Sequence, residues 1–259
     1  MEIKLYQVDA FALNIFEGNP AAVCPLEKWL PTQLLKKIAE ENNLSETAFF
    51  VKEDTGYSLR WFTPEDEVDL CGHATLAAAH VLFKHLGYSR KSISFYTKSG
   101  TLEVSRAGKS YSMCFPASLP KLRAPLQKLE LALGVTPITV LEAFDYIVIL
   151  ENEAQVRSIN PNFSIMQNLD LRGVVITAPG DEVDFVSRCF FPSLRVNEDP
   201  VTGSAHCELA PYWSEQLNKK TLVGKQLSQR TGMVKCEVID DKVILEGNAV
   251  DYMSGVIHL

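Results

Sequence analysis

The chain has 259 residues, of which 46% are hydrophobic and 22% charged, a composition typical of a globular protein with one large domain or two of about 130 residues. Acidic residues outnumber basic ones by 32 to 25, and the net charge of −7 argues against a nucleic-acid or anionic-membrane partner, since both bind basic surfaces. No stretch has the roughly 18 uncharged apolar residues of a membrane-spanning helix, and the N-terminus lacks a secretory-signal layout. We therefore expect a cytoplasmic protein.

The six cysteines lie far apart and form no C-x-x-C motif. In a chain of this size they are interpreted as reduced thiols of a cytosolic protein. Cys114, Cys189 and Cys236 lie in strand-like segments beside apolar neighbours, which predicts that all three are buried in the core.

Strand patterns dominate the first half of the chain. Alternating or β-branched runs predict strands at 3–11, 47–51, 57–62, 93–96, 102–104 and 111–115. Two helical patterns interrupt these strands. Residues 31–43 have one apolar and one charged face, whereas residues 74–85 are apolar nearly all round, which predicts a helix enclosed by other structure.

A repeat with a period near 130 residues relates the two halves. R-W-F-T-P at 60–64 returns as R-C-F-F-P at 188–192, C-G-H-A at 71–74 as T-G-S-A at 202–205, and S-G-T-L at 99–102 as T-G-M-V at 231–234. This order predicts an α+β fold of two pseudo-symmetric domains, each a mixed or antiparallel sheet wrapped around a central buried helix. We place the domains at residues 1–117 and 118–259, divided within the proline-rich segment 116–125.

The repeated glycines predict where a ligand would bind. Helices are expected to begin at Gly72-His73 and at Gly203-Ser204, and helix N-termini carry unpaired N–H groups that attract an anion such as a carboxylate. A glycine at each start allows close approach of the backbone to a ligand, although a tight turn alone would also explain it. Two symmetric domains would place both helix starts across one cleft.

Four separated motifs occur in order along the chain: G-N-P-A-A-V at 18–23, L-S-E-T-A-F at 44–49, F-T-P at 62–64 with L-C-G-H-A-T at 70–75, and E-D-P-V-T-G-S-A-H at 198–206. Together they resemble the phenazine-biosynthesis PhzF-like family, which shares the diaminopimelate epimerase fold. The resemblance covers nearly the whole chain. It implies an isomerase that uses no cofactor, an active site between two similar domains, and a homodimer. It also allows the last strand, about residues 250–259, to pack on the first domain.

The resemblance assigns the acid/base glutamate to Glu46. A carboxyl group exchanges protons with carbon near neutral pH when it is desolvated in a cleft. His73 and Asp199 occupy family positions around the substrate and complete the expected catalytic set. The expected substrate-binding residues are Asn19, Gly72, His73, Gly203 and Ser204.

These assignments have structural alternatives. Glu46 fits the spacing of a capping box that begins at Asn43, and Asp199 or Ser204 could cap the second buried helix. Asn19, in a turn at 18–20, would either orient the substrate or close that turn.

Cys71 raises the main alternative function. Diaminopimelate epimerases and proline racemases use two cysteines, one from each half, as opposed acid and base, and the corresponding residues here are Cys71 and Thr202. An ordinary alcohol cannot replace a thiolate as a base, which disfavours a two-thiol racemase. A Cys71-dependent epimerase or dehydratase stays open, as does a binding protein that kept the fold without catalysis.

No metal or nucleotide cofactor is expected. The C-x-H spacing at 71–73 is unusual for zinc, and the adjacent His206 and Cys207 would diverge on a helix. Neither a Walker loop nor a strand-linked G-x-G-x-x-G is present. The expected ligand is a small carboxylate-bearing molecule.

Overall fold

A computed structural model describes residues 1–124 and 126–259, and Pro125 of the proline-rich segment lies outside the described residues. The chain divides into two compact units, residues 1–114 with 246–259 and residues 115–245. Within the described ranges, the helices are too short or too polar to cross a bilayer.

The first unit contains all six strands and both helices predicted for the first half, with two further strands, β2 and β5. Its elements are β1 (Glu2–Ala10), β2 (Asn19–Leu26), α1 (Thr32–Asn42), β3 (Glu46–Lys52), β4 (Tyr57–Phe62), β5 (Glu67–Val68), α2 (Gly72–Lys84), β6 (Ser92–Thr97), β7 (Gly100–Ala107) and β8 (Ser110–Pro116).

Helix α2 is the centre of this unit. Every residue from His73 to Phe83 is buried, as the absence of a polar face in the sequence predicts. The helix contacts β1, β2, β3 and β7, so the sheet encloses it on several sides. Its alanine-rich sequence permits this because small side chains let the strands approach closely.

The second unit begins at the end of β8. Its elements are β9 (Lys121–Arg123), α3 (Gln127–Leu133), β10 (Thr139–Glu142), β11 (Tyr146–Ile149), α4 (Glu153–Ser158), α5 (Phe163–Met166), β12 (Val174–Pro179), β13 (Phe185–Phe191), a 3-10 turn (Pro192–Leu194), β14 (Val196–Asp199), α6 (Gly203–Leu217), β15 (Thr221–Gln226), β16 (Gly232–Ile239) and β17 (Lys242–Gly247).

Helix α6 is the buried helix of the second unit, and it contains a proline. Pro211 has no N–H group, so the carbonyl of Cys207 one turn earlier receives no helical hydrogen bond from it. The backbone N–H of Ser118 donates to that carbonyl instead, at 3.0 Å. This acceptor is thereby satisfied, and the helix continues to Leu217.

The two units share one order of strand pairing, which accounts for the sequence repeat. In the first, β2 is parallel to β3, β3 antiparallel to β4, β4 parallel to β6 and β6 antiparallel to β7. In the second, β11, β12, β13, β15 and β16 pair with the same alternation of directions. In both units the buried helix lies, along the chain, between the two strands of the second parallel pair. Helix α2 comes between β4 and β6, and α6 comes between β13 and β15.

The last strand returns to the first unit. Strand β18 (Ala249–His258) pairs antiparallel with β1, in a register that places Ile257 opposite Ile3. It also contacts α2. The two chain termini therefore lie side by side, and the N–H of Leu259 donates to the carbonyl of Met1 at 2.8 Å.

Cys114 is exposed, so the prediction that it lies in the core is wrong. Side chains on β8 alternate between two faces, and Tyr111, Met113 and Phe115 occupy the buried one. Cys114 points the other way. Cys189 and Cys236 are buried as predicted.

Gly173 lies where a methyl group has no room. A Cβ atom there would lie 2.2 Å from Cδ1 of the buried Phe191 and 2.7 Å from the carbonyl oxygen of Phe190. We expect Gly173→Ala to lower the free energy of unfolding by about 1–3 kcal/mol, measured by chemical denaturation. Gly203→Ala is the control, because its nearest neighbour would be Leu245 Cδ1 at 3.7 Å. Equal stability of the two variants would contradict this account of packing around Gly173.

Candidate active site

Glu46 occupies the first position of β3, on the same sheet face as Asn19. The parallel register places Glu46 opposite Ala21 on β2, and Asn19 precedes Ala21 by two residues. Because side chains alternate along a strand, Asn19 and Glu46 project to the same side. Asn19 is fully buried, whereas the Glu46 side chain is 17% exposed. One strand pair thus aims an amide and a carboxylate in one direction.

The expected turn at 18–20 is wrong, because Asn19 and Pro20 already belong to β2. Asn19 pairs with Ala10 on β1. Gly18 precedes it with a φ of +68°, and a Cβ at Gly18 would lie 2.2 Å from the carbonyl oxygen of Ala10. Glycine is required there because two backbone segments meet closely as the strand begins.

Glu46, His73 and Cys71 form a compact cluster at the start of α2. Nε2 of His73 lies 2.9 Å from Oε2 of Glu46, and Nδ1 of His73 lies 3.5 Å from Sγ of Cys71. His73 is 7% exposed and Cys71 also 7%. The sequence-predicted catalytic glutamate and histidine are therefore in direct contact, and the imidazole also contacts the Cys71 thiol.

The charges of this cluster favour a protonated His73. Burial disfavours the imidazolium, but the negative charges of its neighbours outweigh burial, and the pKa of His73 is raised well above its usual value. The charge of Cys71 and then that of Glu46 raise it, together with the hydrogen bonds of both groups to the imidazole. Burial, reinforced by the Glu46 charge, raises the pKa of the Cys71 thiol. The His73 imidazole thus contacts two acidic groups, the Glu46 carboxyl group and the Cys71 thiol.

The same three side chains could hold a metal ion. One donor atom from each of Glu46, Cys71 and His73 lies within 4.8 Å of the other two. Glu46 lies on β3, outside the C-x-H spacing at 71–73. Thiol, imidazole and carboxylate are all zinc ligands, so the geometry is compatible with zinc as well as with proton transfer.

The first turn of α2 begins at Gly72 as predicted. Cys71 is the capping residue, its side chain makes no capping hydrogen bond, and the first turn contains no acidic residue. The carbonyl of Cys71 accepts from the N–H of Thr75 at 3.1 Å and from the Thr75 hydroxyl at 2.6 Å. The N–H groups at this helix start face no side-chain cap, which leaves the positive end of the helix suited to an anion.

In the second unit, Asp199 is fixed before α6 by a small polar network. The Thr202 hydroxyl donates to Oδ2 of Asp199 at 2.5 Å. Gln226 accepts from the N–H of Thr202 at 2.8 Å and donates to the carbonyl of Asp199 at 2.7 Å. Asp199 therefore accepts a hydrogen bond from Thr202, the capping residue of α6.

Ser204 contacts an ion pair that the sequence analysis did not single out. Its Oγ accepts from Nη2 of Arg172 at 3.1 Å. The same guanidinium binds Asp145 through two hydrogen bonds, of 3.0 and 2.5 Å. Asp145 is completely buried, so Arg172 neutralises a charge that water does not reach.

Glu208 lies one turn after Ser204 and is also completely buried. Its Oε1 is 4.0 Å from Arg172, and its Oε2 accepts from the N–H of Asp145 at 3.4 Å. Burial and the nearby Asp145 carboxylate raise the pKa of Glu208 to about 8. With Asp145 paired to Arg172, a protonated Glu208 leaves this buried group without net charge near neutral pH.

The structure thus brings the predicted residues together in two sets. Within the first unit these are Asn19, Glu46, Cys71, Gly72 and His73, and within the second unit they are Asp199, Thr202, Gly203 and Ser204. The residues missed were Asp145, Arg172, Glu208 and Gln226. For Asp145, Arg172 and Glu208 the visible signal is a charged side chain beside apolar residues, as with Glu208 between Cys207 and Leu209. The neutral Gln226 carries no such signal.

Comparison with known proteins gives consistent matches over the full length. The family described as "Phenazine biosynthesis-like protein" matches residues 8–255. An uncharacterized isomerase of Pseudomonas aeruginosa is 50% identical over 259 residues and covers 100% of both chains. The crystal structure of a phenazine biosynthesis protein of the PhzF family from Enterococcus faecalis has a TM-score of 0.98 at 50% identity, again with 100% of both chains covered.

A more distant structure supports the fold alone. A predicted epimerase from Pseudomonas aeruginosa has a TM-score of 0.75 at 20% identity and covers 98% of this chain and 99% of its own. These matches confirm the predicted α+β fold of the diaminopimelate epimerase class.

The raised pKa of Glu208 predicts a pH dependence of stability. An unfolded chain releases the Glu208 proton near its ordinary pKa of 4.5, whereas the folded chain keeps it until about pH 8. Its contribution is complete below pH 4.5 and is lost as the pH rises through 8. We therefore expect the melting temperature of Glu208→Gln to rise relative to wild type, by several degrees, between pH 5 and pH 9.

Thermal unfolding of both proteins in the same buffers measures this difference. The variant keeps the size of the side chain and supplies a neutral amide in place of a neutral carboxyl. Melting curves whose midpoints stay parallel across this pH range would show that Glu208 ionises alike in the folded and unfolded chain.

Proposed function

Since this chain belongs to the family of phenazine biosynthesis-like proteins and is an isomerase, we propose that Glu46 moves a proton between carbon atoms of a small, unsaturated, carboxylate-bearing substrate. The observation that carries the proposal is the 2.9 Å contact between the Glu46 carboxylate and the buried His73 imidazole. A base with a fixed orientation and a cationic neighbour is suited to abstract a proton and then hold the product of that step.

The chemical step needs only side chains of this cluster. Glu46 takes a proton from a carbon next to a double bond, and the electrons of the broken C–H bond enter the conjugated system of the substrate. Glu46 is then a neutral acid. It returns the proton to another carbon of that system, the new C–H bond forms from the displaced π electrons, and the double bond has moved.

His73 has a supporting role in this step. Its imidazolium offsets the Glu46 charge before transfer. Once Glu46 is neutral, Nε2–H would donate to an oxygen where negative charge develops on the substrate. Because His73 is fixed at the buried start of α2, its orientation does not depend on a mobile loop.

One base implies transfer on a single face of the substrate. The residue that corresponds to Cys71 in the second unit is Thr202, whose hydroxyl already donates to Asp199. An alcohol in that position does not act as the opposing base that inversion at carbon requires. The proposal is therefore a same-face shift of a proton and a double bond.

The substrate carboxylate would bind at the helix starts of Gly72-His73 and Gly203-Ser204. The protein carries a net charge of −7, so the attraction for an anion has to come from local dipoles and N–H donors. In the proposal, Asn19 in the first unit and Asp199 in the second unit orient polar groups of the bound molecule.

Cys71 is not the base in this proposal. Burial raises the pKa of its thiol, which keeps it protonated at neutral pH, whereas a thiolate is the form that abstracts protons. The Cys71-dependent epimerase or dehydratase of the sequence analysis therefore becomes an outcome to be tested.

Glu46→Gln should abolish proton transfer, because the amide occupies the same space but accepts no proton from carbon. The assay incubates the protein in deuterated water with a panel of cyclic and acyclic unsaturated carboxylates and amino acids, and measures deuterium at carbon by mass spectrometry and NMR. We expect a loss of at least about a thousandfold in the rate of exchange for the substrate that wild type turns over.

Cys71→Ser is the matched variant, since it lies on the other side of the same imidazole. It should retain exchange. Loss of exchange in Cys71→Ser together with full exchange in Glu46→Gln would assign the chemistry to the thiol and contradict the proposal. Circular dichroism of both variants controls for folding.

Gly203→Ala should weaken substrate binding without destabilising the fold. A Cβ at this position meets only Leu245 at 3.7 Å, so the methyl group fits the apo protein but would occupy the space through which an anion approaches the helix start. We expect KM to rise about tenfold or more, as for the loss of one charge-assisted hydrogen bond. An unchanged KM in this exchange assay would remove Gly203 from the binding site.

A further inference from the structure

A second cluster of titratable side chains lies in the first unit, at the opposite end of α2 from His73. His80 is buried within the helix, His85 follows its last residue, and Asp251 lies on β18. Seven residues separate His73 from His80, which is about 10 Å along a helix. The proposed proton transfer does not use this cluster.

The three side chains converge on a single point. Nε2 of His80 and Nε2 of His85 each lie 2.9 Å from the same Oδ1 of Asp251. All three donor atoms lie within 4.8 Å of one another. From this convergence we propose that His80, His85 and Asp251 form a zinc site that joins α2 to β18.

The surroundings of the ligands match those of a zinc site. Nδ1 of His80 lies 3.0 Å from the hydroxyl of Tyr111, and the ring of Tyr6 stacks on His85 at 4.8 Å. The second carboxylate oxygen of Asp251 accepts from Nζ of Lys84 at 2.6 Å. Metal-binding histidines commonly hold their other ring nitrogen in a hydrogen bond, and ligating carboxylates are themselves hydrogen-bonded.

Zinc binding at these ligands requires no release of a proton from either histidine, only a change of tautomer. In the chain without metal, each Nε2–H donates to Asp251, and the Tyr111 hydroxyl donates to Nδ1 of His80. When zinc binds, the His80 proton moves to Nδ1 and is donated to the Tyr111 oxygen, which leaves a lone pair on Nε2 for the metal. His85 undergoes the same change of tautomer, so two neutral histidines and one carboxylate hold the ion.

The donor set favours a transition metal over magnesium or calcium. Two imidazoles and one carboxylate suit zinc, whereas magnesium and calcium prefer sites made of oxygen atoms. The side chains of His85 and Asp251 are 27% and 28% exposed, so water can reach the cluster and supply a fourth ligand. A bound zinc ion would attach the last strand of the chain to its central helix.

Isothermal titration with zinc tests the site in the full-length chain. Cys71→Ser serves as the background, because it removes the thiol from the separate cluster of Glu46, Cys71 and His73. We expect one equivalent of zinc in this background. Cobalt in place of zinc should give absorption bands of nitrogen and oxygen ligands, without a thiolate charge-transfer band.

Three further substitutions in that background separate a metal site from an ion-pair network. Asp251→Asn and His85→Gln each remove one ligand and should lower zinc affinity tenfold or more, while Gln at 85 keeps a donor for Asp251. Lys84→Gln breaks only the ion pair, and it should retain or increase zinc affinity because it removes a competing cation. Circular dichroism without metal confirms that each variant is folded.

Binding of no zinc by the Cys71→Ser background at a tenfold molar excess would overturn the proposal. Affinity unchanged in both Asp251→Asn and His85→Gln would do so as well. Equal losses in Lys84→Gln and Asp251→Asn would indicate that the cluster acts as a salt-bridge network. Since this experiment measures metal binding alone, its outcome is independent of the proposed proton transfer.

Discussion

The contact between Glu46 and His73 depends on where a strand and a buried helix begin. Glu46 is the first residue of β3, and His73 is the second residue of α2. Both groups are largely shielded from water, and a buried carboxylate or imidazolium without its partner would be strongly destabilising. The sheet wrapped around α2 fixes the helix start, and the helix start in turn fixes the side chain that faces Glu46. The fold of the first unit therefore positions Glu46 against His73.

The second unit uses the same order of elements for different chemistry. At the residues that match Cys71 and His73 it has Thr202 and Ser204, neither of which exchanges a proton at neutral pH. Its charges lie beneath the helix start, where Arg172 pairs with Asp145 next to a Glu208 whose pKa is raised to about 8. A duplicated architecture thus places ionisable groups differently in its two units, at the helix start in the first and beside the helix start in the second.

Local patterns in the sequence predicted much of this fold, since helix and strand periodicity depend on neighbouring residues. The apolar run at 74–85 predicted an enclosed helix, and eleven consecutive residues of α2 are buried. Strand β2 was missed because Gly18-Asn19-Pro20 has the composition of a turn, while its conformation is set by pairing with β1. The exposure of Cys114 depends on which face of β8 is covered, and apolar neighbours in sequence do not report that.

The residues around the site also divide into those that a local sequence motif marks and those that only tertiary packing brings together. Glu46, Cys71 and His73 belong to recognisable motifs, so the family resemblance predicts them as site residues. Arg172 and Asp145 are 27 residues apart, and His80 and Asp251 are 171 apart. Such pairs are created by tertiary packing, and no periodic pattern in the chain marks them.

The charge state of His73 tests most directly whether Glu46 and His73 form a charged pair. Nitrogen-15 NMR of the full-length protein distinguishes an imidazolium, with both ring nitrogens protonated, from either neutral tautomer. Because the pKa of His73 is raised well above its usual value, the account predicts the doubly protonated ring at pH 7.5 and its loss in Glu46→Gln. A neutral His73 at pH 7.5 in the wild-type protein would contradict it.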